Sequence, residues 1–144
     1  MDEEKTKDLD YFVDIEPKKK IEFYEAVVEG LSLPQKTISP KFFYDERGSI
    51  IFDKICDTPE YYLTRTELAL LNDIKVELYS LIEPGSAVVE YGCGSSIKIK
   101  ALLSALPKPS HYIAIDISKS HLISTAKEIA SNYNNISVAA ICAD

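Results

Sequence analysis

The period of the apolar positions changes once along this chain. Up to about residue 83 they recur at steps of three and four, the spacing of helices with one buried face; from residue 84 short apolar runs alternate with helical stretches. The spacing predicts a helix from Pro17, with Ile21, Tyr24, Val28 and Leu31 on one face and Gly30 at its stop. Two prolines hold residues 33–40 extended. An aromatic cluster at 42–44 ends at the turn residue Gly48, and Ser49 is placed to cap a short helix whose Ile51, Phe52 and Ile55 face inward. Residues 57–60 break it. Thr64 and Glu67 then have the spacing of a capping box, opening a helix that carries Leu68, Leu71, Leu78 and Ile82 and stops before Pro84-Gly85.

Beyond that point strands are predicted at 87–91, 112–117 and 136–143, with helices at 96–106 and from Ser118 to about residue 133. The second helix should bury Leu122, Ala126, Ile129 and Ala130. Three apolar strands joined by two helices imply right-handed parallel crossovers, hence an α/β fold. The chain divides accordingly into a flexible N-terminus (1–16, anchored only by Tyr11, Phe12 and Ile15), a helical segment with aromatic loops (17–83) and a parallel α/β portion (84–144).

Composition narrows the partners. With 144 residues, 46% of them hydrophobic and 27% charged, the chain reads as a soluble globular domain. No apolar run approaches the roughly 18 residues of a membrane span, and residues 1–10 lack the apolar core of a signal peptide. A net charge of -7 argues against a nucleic-acid partner, and Lys18-Lys19-Lys20 reads as a solvated helix start. Cys56, Cys93 and Cys142 show no ligand-like spacing and are expected as free thiols in a reducing, cytoplasmic setting, with Cys93 filling a glycine-rich turn. His111 and His121 bring no companions, so no metal site is expected.

The chemistry gathers at strand ends. Glu90, Asp116 and Asp144 close the three predicted strands, whose carboxyl ends converge on one crevice in an open parallel sheet. The first strand runs into Glu90-Tyr91-Gly92-Cys93-Gly94-Ser95-Ser96, a turn that lets a ligand approach bare backbone. Asp116 stands about twenty residues on, the spacing of a ribose-binding acid, and Ser118 is available as the helix cap in its place. A dinucleotide loop would carry a third glycine where this chain has Ile97, so the turn fits S-adenosylmethionine better than NAD. Lys98, one turn into the helix, is within reach of the donor's carboxylate; a surface lysine has the same pattern.

Two further blocks carry a resemblance. Pro40-Lys41-Phe42-Phe43-Tyr44-Asp45-Glu46-Arg47-Gly48-Ser49, followed by Ile51-Phe52-Asp53, and Thr58-Pro59-Glu60-Tyr61-Tyr62-Leu63-Thr64-Arg65-Thr66-Glu67 resemble the N-terminal signature of the histidine Nα-methyltransferase family. The donor loop with Lys98, Ile115-Asp116-Ile117-Ser118 and Cys142-Ala143-Asp144 agree with it, so the likeness runs over residues 20–144. It implies a Rossmann-like, S-adenosylmethionine-dependent enzyme that trimethylates the α-amino group of L-histidine to hercynine, the first step towards ergothioneine. It implies donor contacts at Gly92, Lys98, Asp116 and Asp144, and substrate contacts at Tyr61 and Tyr44, whose spacing alone would indicate only core packing. No catalytic residue is implied.

Family members run further than this chain, which supplies strands in the order 3-2-1 only; we therefore expect a fragment with an open edge at 87–91. The alternatives are a non-catalytic donor-binding remnant and a relative acting on another free amino acid such as tryptophan.

Overall fold

The computed structural model describes residues 9–15, 19–94 and 96–143; Asp144, Pro17 and Lys18 lie outside them. Four parallel strands, β1 (Tyr11–Asp14), β2 (Ala87–Tyr91), β3 (His111–Asp116) and β4 (Ser137–Cys142), form one sheet in the order β1-β4-β3-β2. The strands at 87, 111 and 137 start in register, Ala87 beside His111 and His111 beside Ser137, so their carboxyl ends finish level. Helices α5 (Ser96–Ala105) and α6 (Lys119–Asn132) make the two crossovers, both in the same direction across the sheet, and pack on one another. The α/β fold is the one the periodicity predicts, and β4-β3-β2 has the 3-2-1 order that the resemblance implies, with β1 added beyond β4.

Alternation along β3 and β4 decides where the core lies. Tyr112, Ala114, Val138, Ala140 and Cys142 point to one face and are buried against Leu122, Ala126, Ile129 and Ala130 of α6 and Ile99 and Leu103 of α5. The intervening Ile113, Ile115, Ala139 and Ile141 are only half buried. Edge strand β2 is open on its outer side, and Tyr91 at its end is 81% exposed.

The N-terminus departs from expectation. Residues 11–14, expected within a flexible segment, form β1 and pair with β4 in register from Tyr11–Ala139 to Asp14–Cys142. Charge and backbone hold it there: the Val138 amide donates to Asp10 Oδ2 at 3.0 Å, and Lys119 Nζ lies 2.6 Å from Asp14 Oδ2.

The helical segment comprises α1 (Lys19–Ser32), a 3-10 turn (Pro40–Phe43), α2 (Glu46–Cys56), α3 (Leu63–Asp73) and α4 (Lys75–Leu81). Tyr24, Val28 and Leu31 of α1 are exposed rather than packed, because α1 is held by Phe23 edge-on to Phe42 at 5.0 Å and by Glu22 paired with Lys41 at 2.5 Å. Gly30 is not a stop: the helix runs past it, and a side chain there would overlap the Thr37 carbonyl of the returning chain. Helix α2 begins earlier than predicted. Asp45, not Ser49, is its cap, accepting from the Gly48 amide at 2.7 Å; Ser49 is buried inside the helix, and Ile51 and Ile55 are largely exposed.

The Thr64–Glu67 capping box does not form. Helix α3 starts at Leu63, with Tyr62 in the cap position, and Glu67 turns to Lys98 instead. The single predicted helix is broken at Ile74, just after Asn72 and Asp73, residues whose side chains compete for backbone bonds. Leu68, Leu71, Leu78 and Ile82 nevertheless keep to the half-buried side, and α3 and α4 pack on α5.

A Cβ at Gly48 would collide with the Phe43 carbonyl oxygen. Gly48→Ala should therefore force open the turn that presents Tyr44, costing about 1–3 kcal/mol as other overpacked sites do. Urea unfolding of the chain measures it; a change below about 0.5 kcal/mol, as at a neutral surface site, would contradict this packing.

Candidate functional site

The site grows out of the end of β2. The Gly92 amide donates to the Ile115 carbonyl at 2.8 Å, extending the ladder one residue beyond the strand. The chain then turns with positive φ at Gly92 (73°) and Gly94 (38°), conformations that cost other residues about 1–2 kcal/mol. Nothing lies within 4 Å of where a Cβ on Gly92 would be, so the missing side chain leaves open space above the strand end. Gly94 is held from α6: its carbonyl oxygen takes Thr125 Oγ1 at 3.1 Å and lies 2.8 Å from His121 Nε2.

Against this turn opens a cavity of about 710 Å³. Its floor is the carboxyl end of the sheet, with Gly92, Gly94, Ile115, Asp116, Ile141 and Ala143. Ile117 and His121 close one side, and Ile15, just past β1, reaches in from the strand not foreseen. Tyr44, Ser49, Phe52 and Asp53 cover it from α2 and the loop before it. That size suits a nucleoside-sized ligand, as does the mostly apolar wall with few polar groups.

Of the residues singled out in the sequence, Gly92, Asp116 and Tyr44 line this cavity. Tyr61 reaches it through one intermediary: its ring is edge-on to Phe52 at 5.7 Å, and Phe52 is edge-on to Tyr44 at 6.0 Å. Lys98 does not line it. Its ammonium lies 3.1 Å from Glu67 Oε2, because α3 packs on α5 and brings that carboxylate alongside. Asp144 falls outside the described residues, next to Ala143 of the lining.

Asp116 is less free than the sequence suggests. Its Oδ1 accepts the Ser118 amide at 2.8 Å, whereas the Ser118 hydroxyl is buried, makes no capping bond and has no partner among the described residues. The acid and not the serine thus serves the start of α6. A carboxylate offers about four lone-pair sites, so capacity remains for a ligand.

Glu90 ends beneath the turn and accepts the Tyr112 hydroxyl at 2.6 Å. Burial holds its carboxyl above the usual 4.5; the Tyr112 bond and Lys98 oppose this, while Glu67 and Asp116 add to it. Cys93 is buried, and burial, Asp116 and Glu90 all push its thiol up, so it is a protonated filler of the turn.

His121, Asp53 and Phe52 were not picked out as site residues. His121 carries no motif of its own, Asp53 belongs to the Ile51-Phe52-Asp53 block without a role assigned to it, and the approach of both to the turn depends on how α2 and α6 pack. Phe52 is visible in the sequence as an inward position of a helix and as part of the same block, not as a wall of a cavity.

Glu90 has a signed consequence for stability. Between 4.5 and its raised folded value the folded chain binds the proton more than the unfolded chain does, so this group's contribution is present at low pH and lost as pH rises. Glu90→Gln should match the parent near about pH 4 and become the more stable of the two towards about pH 8. Urea midpoints across that range test it, and a difference independent of pH would refute the assignment.

The chain also resembles known proteins in sequence. A family model described as a histidine-specific, SAM-dependent methyltransferase matches residues 23–144. The histidine N-alpha-methyltransferase of Mycobacterium tuberculosis is 36% identical over 121 residues, covering 82% of this chain and 37% of the relative. An N-methyltransferase, dtpB, of Aspergillus flavus is 36% identical over 115 residues, covering 76% and 32%. The 4-dimethylallyltryptophan N-methyltransferase easF of Claviceps purpurea is 31% identical over 121 residues, covering 81% and 35%. The chain spans about a third of the length of these curated relatives. The turn, the acid beyond it and the aromatic block before it lie within the matched stretch, and the chain belongs to the histidine-specific, SAM-dependent methyltransferase family.

Proposed function

We propose that this chain is the donor-binding part of an enzyme that methylates the α-amino group of L-histidine, three times in succession, to hercynine. The observation that carries the reading is the cavity at Gly92, walled by Asp116 on the sheet side and by Tyr44 and Phe52 on the other, inside a stretch matching the family. In this reading residues 84–144 hold the donor and residues 17–83 supply the acceptor side, with no nucleic acid as partner, in keeping with a net charge of -7. No helix among the described residues is long and apolar enough to cross a membrane. Three cysteines without a disulfide support a cytoplasmic location.

The residues present fit S-adenosylmethionine. Gly92 leaves open space where a side chain would stand, Ile115 and Ile117 give apolar contact for a purine, and Asp116 is placed to accept from ribose hydroxyls. Asp144 would complete the adenine side, and Lys98 would hold the donor's carboxylate by exchanging it for Glu67. Bound there, the donor supplies a methyl group on a sulfonium, open to in-line attack by an amine. The chain's own task is placement: Tyr44, Phe52 and Tyr61 orient the acceptor's ring and, with the isoleucines, keep water from the reacting groups. Each transfer also requires the amine to be neutral, so a proton must leave beforehand.

One observation favours a second reading, a different free amino acid as acceptor. The relative named for 4-dimethylallyltryptophan covers nearly as much of the chain as the one named for histidine. An edge-on set of aromatic rings receives an indole as readily as an imidazole.

Titration calorimetry on the chain with S-adenosylmethionine, followed by methyl transfer to a panel of free amino acids, tests both. Asp116→Asn should weaken donor binding by roughly 10- to 100-fold, the worth of hydrogen bonds to a charged group. Transfer to histidine supports the first reading and transfer to tryptophan the second. Binding without transfer leaves a donor-binding module, and absence of binding by the parent chain overturns the proposal.

A further inference from the structure

Asp53 is an acid where local rules disfavour one. On α2, residues 49, 52 and 53 share the face turned to the cavity at steps of three and four, while Arg47, Ile50, Ile51 and Lys54 line a separate groove outside. The cavity face is otherwise apolar or small, and Asp53 also stands in the last turn of the helix, where the macrodipole opposes negative charge. Asp53 is half-buried, and among the described residues no lysine or arginine lines the cavity. Asp116 across the cavity is of the same sign. Asp53 thus lines a largely apolar space whose described walls hold no lysine or arginine, a position where a cationic ligand would find a counter-charge.

The neighbouring rings fit the same partner. Phe52, adjacent in sequence, and Tyr44, edge-on to it at 6.0 Å, present π systems to the cavity, and aromatic faces attract cations most where water is excluded. We infer that Asp53, with Phe52 and Tyr44, forms an onium-selective wall and is a specificity-determining residue of the site. It rests on the donor-binding function proposed above and deepens it. Two groups of that reaction have the required chemistry: the sulfonium of the donor and the ammonium form of the acceptor's amine. Asp116 recognises the ribose without regard to the charge on sulfur; Asp53 reads the charge.

The experiment is calorimetry on the whole chain, as parent, Asp53→Asn, Asp53→Glu and Asp116→Asn. The donor arm compares S-adenosylmethionine with S-adenosylhomocysteine, the same scaffold with a neutral thioether. The acceptor arm, run with S-adenosylhomocysteine bound, compares L-histidine with imidazolepropionic acid, which lacks the amine. Asp53→Asn should reduce the preference for the cationic member of one pair by roughly ten-fold, with Asp53→Glu retaining it. Asp116→Asn should weaken both donors alike. Loss of preference in the donor arm assigns the sulfonium, and loss in the acceptor arm the ammonium. Equal weakening of charged and neutral ligands by Asp53→Asn, or no effect on any of them, overturns the inference while leaving the donor site standing. A parent chain that binds neither donor overturns the underlying function and this inference with it.

Discussion

The backbone bond from the Gly92 amide to the Ile115 carbonyl is the constraint on which the site depends. It carries the parallel ladder past the last residue of β2, so the left-handed turn begins at a height set by β3. Asp116 follows Ile115 directly, and the acid and the bare turn are thereby held side by side by sheet register alone. The other end of the turn is fixed from α6, where His121 and Thr125 meet the Gly94 carbonyl. The turn at Gly92 and Gly94 is thus tied to two elements, β3 and α6, which fix the backbone that faces the cavity.

How much of this could be read from residues alone follows the range of the interactions. Strands β2 to β4 and helices α5 and α6 were legible because each buries a continuous apolar pattern against its neighbours in sequence. Asp116 was legible for the same reason, as the residue that must end such a strand. Strand β1 was not: Tyr11–Asp14 is four residues long, its partner β4 lies at the far end of the chain, and the Asp10 and Asp14 contacts that hold it are equally distant. The capping box failed for another reason. Glu67 had two possible uses, and the ion pair with Lys98 on a packed neighbour was available only in three dimensions. His121 is an ordinary helical residue, and Asp53 a block member without an assigned role, until packing turns them to a common space.

Electrostatically the site is built against the ordinary preferences of a protein interior. Glu90, Asp116 and Asp53 collect around or beneath one apolar cavity, and the nearby ammonium of Lys98 is engaged by Glu67. Like charges at reduced solvation repel, which is part of what raises Glu90. An anionic ligand would find such a cavity hostile. A nucleoside that carries a positive centre and offers hydroxyl donors would find in it both the charge and the acceptors that it needs.

The two ends of the sheet show where stability has been given up. At the amino end Ser110 accepts from and donates to its neighbours in a closed set: its amide reaches the Ser86 carbonyl at 3.0 Å, its hydroxyl the Gly85 carbonyl at 2.5 Å, and its carbonyl takes the Ser137 amide at 2.9 Å. Positive φ does not distinguish the ends, since Gly85 and Lys108 have it there as Gly92 and Gly94 have it opposite. What does distinguish them is uncompensated polarity. The carboxyl end holds the raised carboxyl of Glu90 and the buried hydroxyl of Ser118, which has no partner among the described residues. Sequences that fold well keep local preferences in agreement with the whole and depart from them where function requires it. In this chain the departures gather at the end of the sheet that carries the Gly92 turn, while at the opposite end Ser110 ties the starts of β2, β3 and β4 together and Asp10 receives the Val138 amide.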